Sequence, residues 1–356
     1  MVFAPFRLGA LELRNRLVMA PMATFSSYDS GDVHPEELAY LERRSAGGLG
    51  MVIAGACGVH PTGRAFEGQW MCGHDGRIPS LRSASEAIRR GGARAVLQIH
   101  HGGRHCPQSL TGLERPWSAS EVPCGKDGSV LAHAMTPEQI REVIAAFGQA
   151  ARRAKEAGWD GVEIHGANGY LLQQFVSPAT NHRSDEWAAD TLRFPLEVLR
   201  AVRNAVGPEF VVGYRFSPTE ADGYGMALTR RLLDALLREG VDYLHISLQD
   251  HRYVAEGEGD TPVLRQTADA VAGRAPLIGV GGVRLLEDAE RVLEMGADLV
   301  ALGRALLVEP DWPRVVAEGR SPRLKLPRLG AADLLTLPKA LLQKMLTVPG
   351  WVELED

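Results

Sequence analysis

The feature that most constrains this chain is a repeated alternation. Eight short apolar or β-branched runs are each followed by a stretch with helical spacing. The runs are Leu17 to Met22, Met51 to Val59, Ala93 to His101, Gly161 to Ala167, Phe210 to Ser217, Tyr243 to Leu248, Pro276 to Gly282 and Leu299 to Leu306. Short apolar runs separated by amphipathic helices build βαβ units on a parallel sheet. Eight such pairs in 356 residues predict an α/β fold closed into a single (β/α)8 TIM barrel, not an open doubly wound sheet. Helices are expected at Pro35 to Ser45, Thr136 to Ala157 and Thr229 to Glu239. Thr136 and Thr229 are read as N-caps, Pro137 as the first helical residue and Gln139 as the partner of a capping box. Neither GxGxxG nor GxxxxGK[ST] occurs, which argues against dinucleotide-fold and P-loop alternatives.

Accessory segments decorate that frame. Phe6 to Leu13 reads as a hairpin turning at Gly9, a plug for the lower mouth of the barrel. Gly102 to Ala134, between strand 3 and its helix, is rich in Gly, Pro and Ser and lies where a βα loop reaches the catalytic face, so it is expected to form a lid or substrate wall. The barrel is expected over residues 1–320. Residues 321–356 form a C-terminal helical extension, with Ala331 to Leu346 as a helix on the outside of the barrel or at a subunit contact.

Composition excludes several functions. With 45% hydrophobic and 23% charged residues, a formal net charge of -5 and no basic block, the chain is not built to hold nucleic acid. Cys57, Cys72, Cys106 and Cys124 show no CxxC spacing, so neither a zinc site nor a disulfide framework is indicated, and a reducing compartment fits. No apolar run reaches the roughly 18 residues of a membrane span, and the N-terminus lacks the apolar core of a signal peptide. The expectation is a cytoplasmic enzyme without metal.

In such barrels the active site lies at the C-terminal ends of the strands. Strand 3 ends in Gln98, His100 and His101; strand 4 in Glu163, His165, Asn168 and Tyr170; strand 5 carries Arg215. His165, Asn168 and Tyr170 can each donate a hydrogen bond, and a His and Asn pair aimed at one carbonyl would stabilise negative charge developing there. Tyr170, neutral at pH 7, would remain free to give a proton. A lone strand-end histidine is more often structural; the trio at one strand end points to catalysis. His100 and His101 face opposite sides of their strand and cannot share a metal, and His101 with His105 lacks a third ligand. Gly281, Gly282 and Gly303 follow strands 7 and 8, where barrels commonly cradle phosphate, and Arg304 can add charge; the bland reading is turn glycines. Arg215 in the mouth is costly to bury without an anionic or electron-rich partner.

These stretches resemble the old yellow enzyme family of FMN-dependent NAD(P)H oxidoreductases. The resemblance runs through Asn15-Arg16-Leu17-Val18-Met19-Ala20-Pro21-Met22, Leu97-Gln98 with His101-Gly102-Gly103-Arg104, Glu163 to Phe175, Ser177-Pro178, Asn181 to Glu186, Gly281-Gly282 and Leu302-Gly303-Arg304. It implies FMN at the mouth, reduced by NADH or NADPH. Pro21, Met22, Ala23 and Ala56 would line the ring system, Gln98 and Arg215 would bind its polar edge, and Gly281, Gly282, Gly303 and Arg304 its phosphate. His165 and Asn168 would bind the carbonyl oxygen of an enone or enal, and Tyr170 would protonate Cα in a ping-pong cycle. Small-molecule partners are implied, and a homo-oligomer is compatible with the family. Ala23 departs from the Thr or Cys of many relatives, and Trp187-Ala188-Ala189-Asp190 replaces an aromatic-Gly-Gly loop. No cysteine follows Cys124, so a barrel-only member without an iron–sulfur centre is expected. Other readings are a different FMN-dependent oxidation, such as oxidative demethylation, and a phosphate-ligand barrel acting as an isomerase or binding protein. An isomerase needs a carboxylate base, and Glu163, two residues from His165, is read as buried below it.

Overall fold

The structure is a computed structural model and describes residues 1–125, 128–257 and 259–355. Eight parallel strands close into a barrel: β1 (Leu17–Met19), β2 (Met51–Gly58), β3 (Arg94–His100), β4 (Gly161–Gly166), β5 (Val211–Phe216), β6 (Tyr243–Ile246), β7 (Leu277–Val280) and β8 (Leu299–Leu302). Each pairs with its sequence neighbour, and β8 returns to β1. All eight expected runs form strands. Each expected run overreached its strand by one to four residues, mostly where the chain leaves the ladder at the mouth to build loops; Ala93, Phe210 and Pro276 lie one residue ahead of their strands at the other end.

Around the barrel lie α1 (Pro35–Ala46), α2 (Ile78–Arg90), α3 (Pro137–Glu156), α4 (Arg193–Val206), α5 (Met226–Arg238), α6 (Val263–Val271) and α7 (Leu286–Glu294). Their apolar stripes explain the arrangement. On α4, Phe194, Val198, Leu199, Val202 and Val206 recur at helical spacing and are buried. α3 starts as the sequence dictates: Gln139 N–H donates to the Thr136 hydroxyl (3.3 Å) and Thr136 N–H to the Gln139 side chain (2.9 Å). Thr229, by contrast, is not an N-cap. α5 begins three residues earlier, and the buried Thr229 hydroxyl donates to Pro218 O (2.5 Å) inside the first turn of the helix.

The hairpin forms as Phe6–Leu8 paired with Leu11–Leu13. Gly9 takes φ +56°, and its position lies against Val211, the first residue of β5, so the hairpin sits below the barrel. The long loop after β3 is not structureless: Trp117–Ser118 pairs with His133–Ala134, and Pro123–Cys124 with Val130–Leu131. The expected helix Ala331 to Leu346 is two helices, Ala331–Leu335 and Lys339–Thr347, divided where Thr336 adopts φ +48° and Pro338 cannot continue a hydrogen-bonded turn. The first is tied to α1 by the buried Arg44, whose guanidinium lies 3.6 Å from the Tyr40 ring centre and donates to Leu335 O (3.1 Å) and Thr336 O (3.3 Å). Among the described residues no helix is long and apolar enough to cross a membrane.

Candidate active site

The period of two in each strand sorts the interior into layers. Glu163 of β4 stands level with Gln98 of β3 and with Gly213 of β5, which in turn neighbours Tyr243 of β6. One layer nearer the mouth, His165, Arg215 and His245 stand side by side on β4, β5 and β6.

Beyond β4 the backbone turns sharply. Asn168 (φ +60°) and Gly169 (φ +74°) are both left-handed, which folds Tyr170 back over the strand end. The turn is clamped from the following helix, Leu171–Val176. Gly169 N–H donates to Gln173 Oε1 (2.8 Å), and Gln174 Nε2 donates to Gly169 O (2.7 Å). The result brings Tyr170 edge-on against His165 (ring centres 5.1 Å), His100 (4.4 Å) and His105 (5.8 Å).

Electrostatics assign protonation states. Burial pushes His165 well below the usual histidine range, reinforced by His100 and Arg215, so its imidazole is neutral at pH 7. Ala167 N–H donates to Nδ1 (3.3 Å), which leaves the proton on Nε2. Burial likewise takes His100 down to about 3, and raises the Tyr170 phenol, so the latter keeps its proton at neutral pH. Asn168 is oriented from two neighbouring strand ends. Its backbone N–H donates to Ser217 Oγ (2.8 Å), and Ser247 Oγ donates to its Oδ1 (2.8 Å). With the amide oxygen taken, the NH₂ end is left to donate.

Arg215 is 9% exposed, its Nε is buried without a partner, and no described residue accepts a hydrogen bond from its guanidinium. Its charge is balanced below by Glu163, which is fully buried. Across the mouth, Met22 and Ala23 share one cavity with Gly55 and Ala56, where the β2–β3 register shifts; Pro21 adjoins them and is likewise half-buried. A Cβ on Gly303 would lie 3.8 Å from the Met22 sulfur, which places the β8 end beside that wall. Gly281 (φ +122°) approaches so closely that a Cβ would stand 2.9 Å from Asp250 and His251 backbone; Gly282 has φ +65°. Arg304 is exposed and pairs with no described residue. Pro21, Met22, Ala23, Ala56, Gln98, His165, Arg215, Gly281, Gly282, Gly303 and Arg304 thus all lie at or just inside the C-terminal mouth. Trp187 of the altered loop is buried beneath the Arg193 guanidinium (4.7 Å from its ring centre), and its carbonyl accepts from Asn181 Nδ2 (2.9 Å).

Sequence reasoning missed Ser247 and Gln69. Gln69 Nε2 lies 3.0 Å from His100 Nδ1 and 3.3 Å from Ala56 O, so it joins two walls of the site. The only available signal for Ser247 was its place at the end of strand 6; nothing in a loop glutamine marks Gln69. No group of three or more potential metal ligands occurs among the described residues.

Residues 1–322 match the NADH:flavin oxidoreductase / NADH oxidase family. Over its full length the chain is 40% identical to a probable NADH-dependent flavin oxidoreductase, YqiG, of Bacillus subtilis, 98% of which is covered. It is 39% identical, over 89% of its length, to an NADH:fumarate oxidoreductase of Klebsiella pneumoniae, of which it spans only 36%. The structure of an old yellow enzyme homologue from Zymomonas mobilis superposes with a TM-score of 0.79 at 26% identity, covering 90% of this chain and 94% of that one.

Proposed function

The chain belongs to the NADH:flavin oxidoreductase / NADH oxidase family, whose cofactor is FMN and whose reductant is NADH or NADPH, and on that premise we propose that it reduces the activated C=C bond of α,β-unsaturated carbonyl compounds. The observation that carries the proposal is the protonation pattern at the end of β4. A neutral His165 with its proton on Nε2, an Asn168 amide with its oxygen occupied, and a protonated Tyr170 together offer two hydrogen-bond donors and one acid.

The residues present fit a flavin. The Arg215 guanidinium, whose buried Nε has no partner, would hold the polar edge of an isoalloxazine and would favour the added electron density of its reduced form. Met22, Ala23 and Ala56 would flank the ring, and Gln98 would bind its edge beside Arg215. Gly281, Gly282 and Gly303 would hold the phosphate on backbone N–H groups, with Arg304 adding charge. FMN supplies hydride transfer, from the nicotinamide and then to the alkene.

The protein's own part is binding and proton delivery. His165 and Asn168 donate to the substrate oxygen and draw electron density from Cβ, as an oxyanion hole does. Tyr170 delivers its proton to Cα, and the raised pKa of the phenol keeps the acid loaded across the neutral range. The reading as a phosphate-ligand isomerase loses support, because Glu163 is fully buried and engaged in three hydrogen bonds, out of reach of a substrate above His165.

The test is anaerobic. NADH or NADPH should bleach the yellow protein, and an added enone should restore the colour. Tyr170→Phe should slow recolouring by roughly 10²-fold or more while leaving bleaching within a few-fold of wild type. Equal slowing of both phases would remove Tyr170 from the proton-donor role.

A further inference from the structure

Glu163 is a carboxylate with no exposed surface at the centre of the barrel, and the reaction above does not use it. Its two oxygens take three hydrogen bonds: Oε1 from Gln98 Nε2 (2.8 Å), and Oε2 from Tyr243 Oη (3.1 Å) and His245 Nδ1 (2.8 Å). Tyr243 and His245 stand two strands away. They reach Glu163 because Gly213 lies between, and a Cβ there would stand 2.0 Å from the Tyr243 ring. A gap this specific marks a contact the fold was shaped to make. Burial would raise the pKa of Glu163, but His245, Arg215 and Gln98 together outweigh it and hold the carboxyl below its usual range. A buried, ionised carboxylate therefore faces Arg215 from below.

Two consequences follow. Because Glu163 accepts from the Gln98 NH₂ group, the amide cannot flip, and Gln98 presents its oxygen away from Glu163. Because Glu163 offsets Arg215, the positive field reaching the mouth is smaller than a bare guanidinium would give.

We propose that Glu163 is a positioning residue that sets the electron affinity of the bound flavin, by fixing the orientation of Gln98 and by partly neutralising Arg215. The proposal rests on the flavin reading of the mouth. Removing the negative charge while keeping the shape leaves Arg215 uncompensated, which favours the reduced flavin.

The experiment equilibrates the holoprotein anaerobically with a reference dye, FMN taking two electrons and one proton from the reduced dye. Glu163→Gln should shift this equilibrium towards reduced flavin at least tenfold, about 30 mV for a two-electron couple. Glu163→Asp, which restores the charge, should return it to within threefold of wild type. An unchanged equilibrium in Glu163→Gln with FMN still bound, or a shift towards oxidised flavin, would overturn the proposal.

Should Glu163→Gln not fold, the same dye equilibrium is read in Tyr243→Phe/His245→Leu, which removes both donors to Oε2. There Glu163 has lost two donors, so burial pushes it towards its protonated form, opposed by Arg215 and Gln98, with neutral His165 above. The equilibrium is then expected to move towards reduced flavin more steeply than in wild type as pH falls, and a pH dependence identical to wild type would overturn the proposal. The dye equilibrium involves no alkene, so failure of enone reduction in wild type would count against the proposed reaction and leave this inference standing.

Discussion

At the scale of single residues, the site depends on which end of each polar group faces the substrate. In the proposed reaction Asn168 would donate to the substrate oxygen only while its own oxygen is occupied, and Ser247 occupies it. Ser247→Ala frees the amide to rotate, so half of its orientations present an acceptor to the substrate oxygen. We expect KM for an enone to rise and the alkene half-reaction to slow about 3- to 30-fold, corresponding to the roughly 0.5–2 kcal/mol spread of a hydrogen bond of this kind. Flavin reduction by NADH or NADPH should be unchanged. Stopped-flow measurement of the two half-reactions separates these outcomes, and a defect confined to flavin reduction would show that Ser247 acts elsewhere.

At the scale of elements, turns would carry the cofactor side of the proposed site. Gly281 combines φ +122° with backbone packed 2.9 Å from where a Cβ would sit. Gly281→Ala must therefore move the loop after β7 away from Asp250 and His251. A cost of about 1–3 kcal/mol is expected from the strained backbone alone. The readout is FMN retention on dilution, which should fall at least fivefold, whereas a substitution in the exposed helix end at Glu294 should leave it unchanged. The same scale shows what a sequence can and cannot disclose. All eight strands were legible because each is buried on both faces and bounded by turn residues. The α3 cap was legible because Thr136, Pro137 and Gln139 are all local to it. Thr229 misled for the same reason: a threonine ahead of leucines looks like a cap, but its hydroxyl is satisfied by Pro218 across a loop, a partner eleven residues away. Placement of His165, Asn168 and Tyr170 followed from strand number. The orientation of Asn168 by Ser217 and Ser247, and the three bonds on Glu163, come from neighbouring strands and carry no local pattern.

At the scale of the whole molecule, the barrel buries four histidines in a way that disfavours their charge. His100, His101, His165 and His245 are all nearly or fully buried, and burial depresses each of them below the 6.5 of a free histidine. In the unfolded chain they take up protons near pH 6.5; in the folded barrel they do so only at lower pH. The unfolded state therefore binds more protons below pH 6.5, and stability falls as pH falls. Each such histidine contributes a slope of up to about 1.4 kcal/mol per pH unit below its unfolded pKa, so the four together set an upper bound of roughly 5–6 kcal/mol per unit. Glu163 works in the same direction, since a carboxyl held below its usual range stabilises the fold above that range and ceases to do so as it is protonated. Thermal melts of the holoprotein at pH 7.5, 6.5, 5.5 and 5.0 should show little change over the first step and a steepening loss over the next two. Replacing His101, which bonds Thr62 and stacks on Trp117 away from Tyr170, isolates one term. His101→Gln should flatten the acid limb while lowering stability at pH 7.5. An acid limb of unchanged slope would place the protons elsewhere than on the buried histidines.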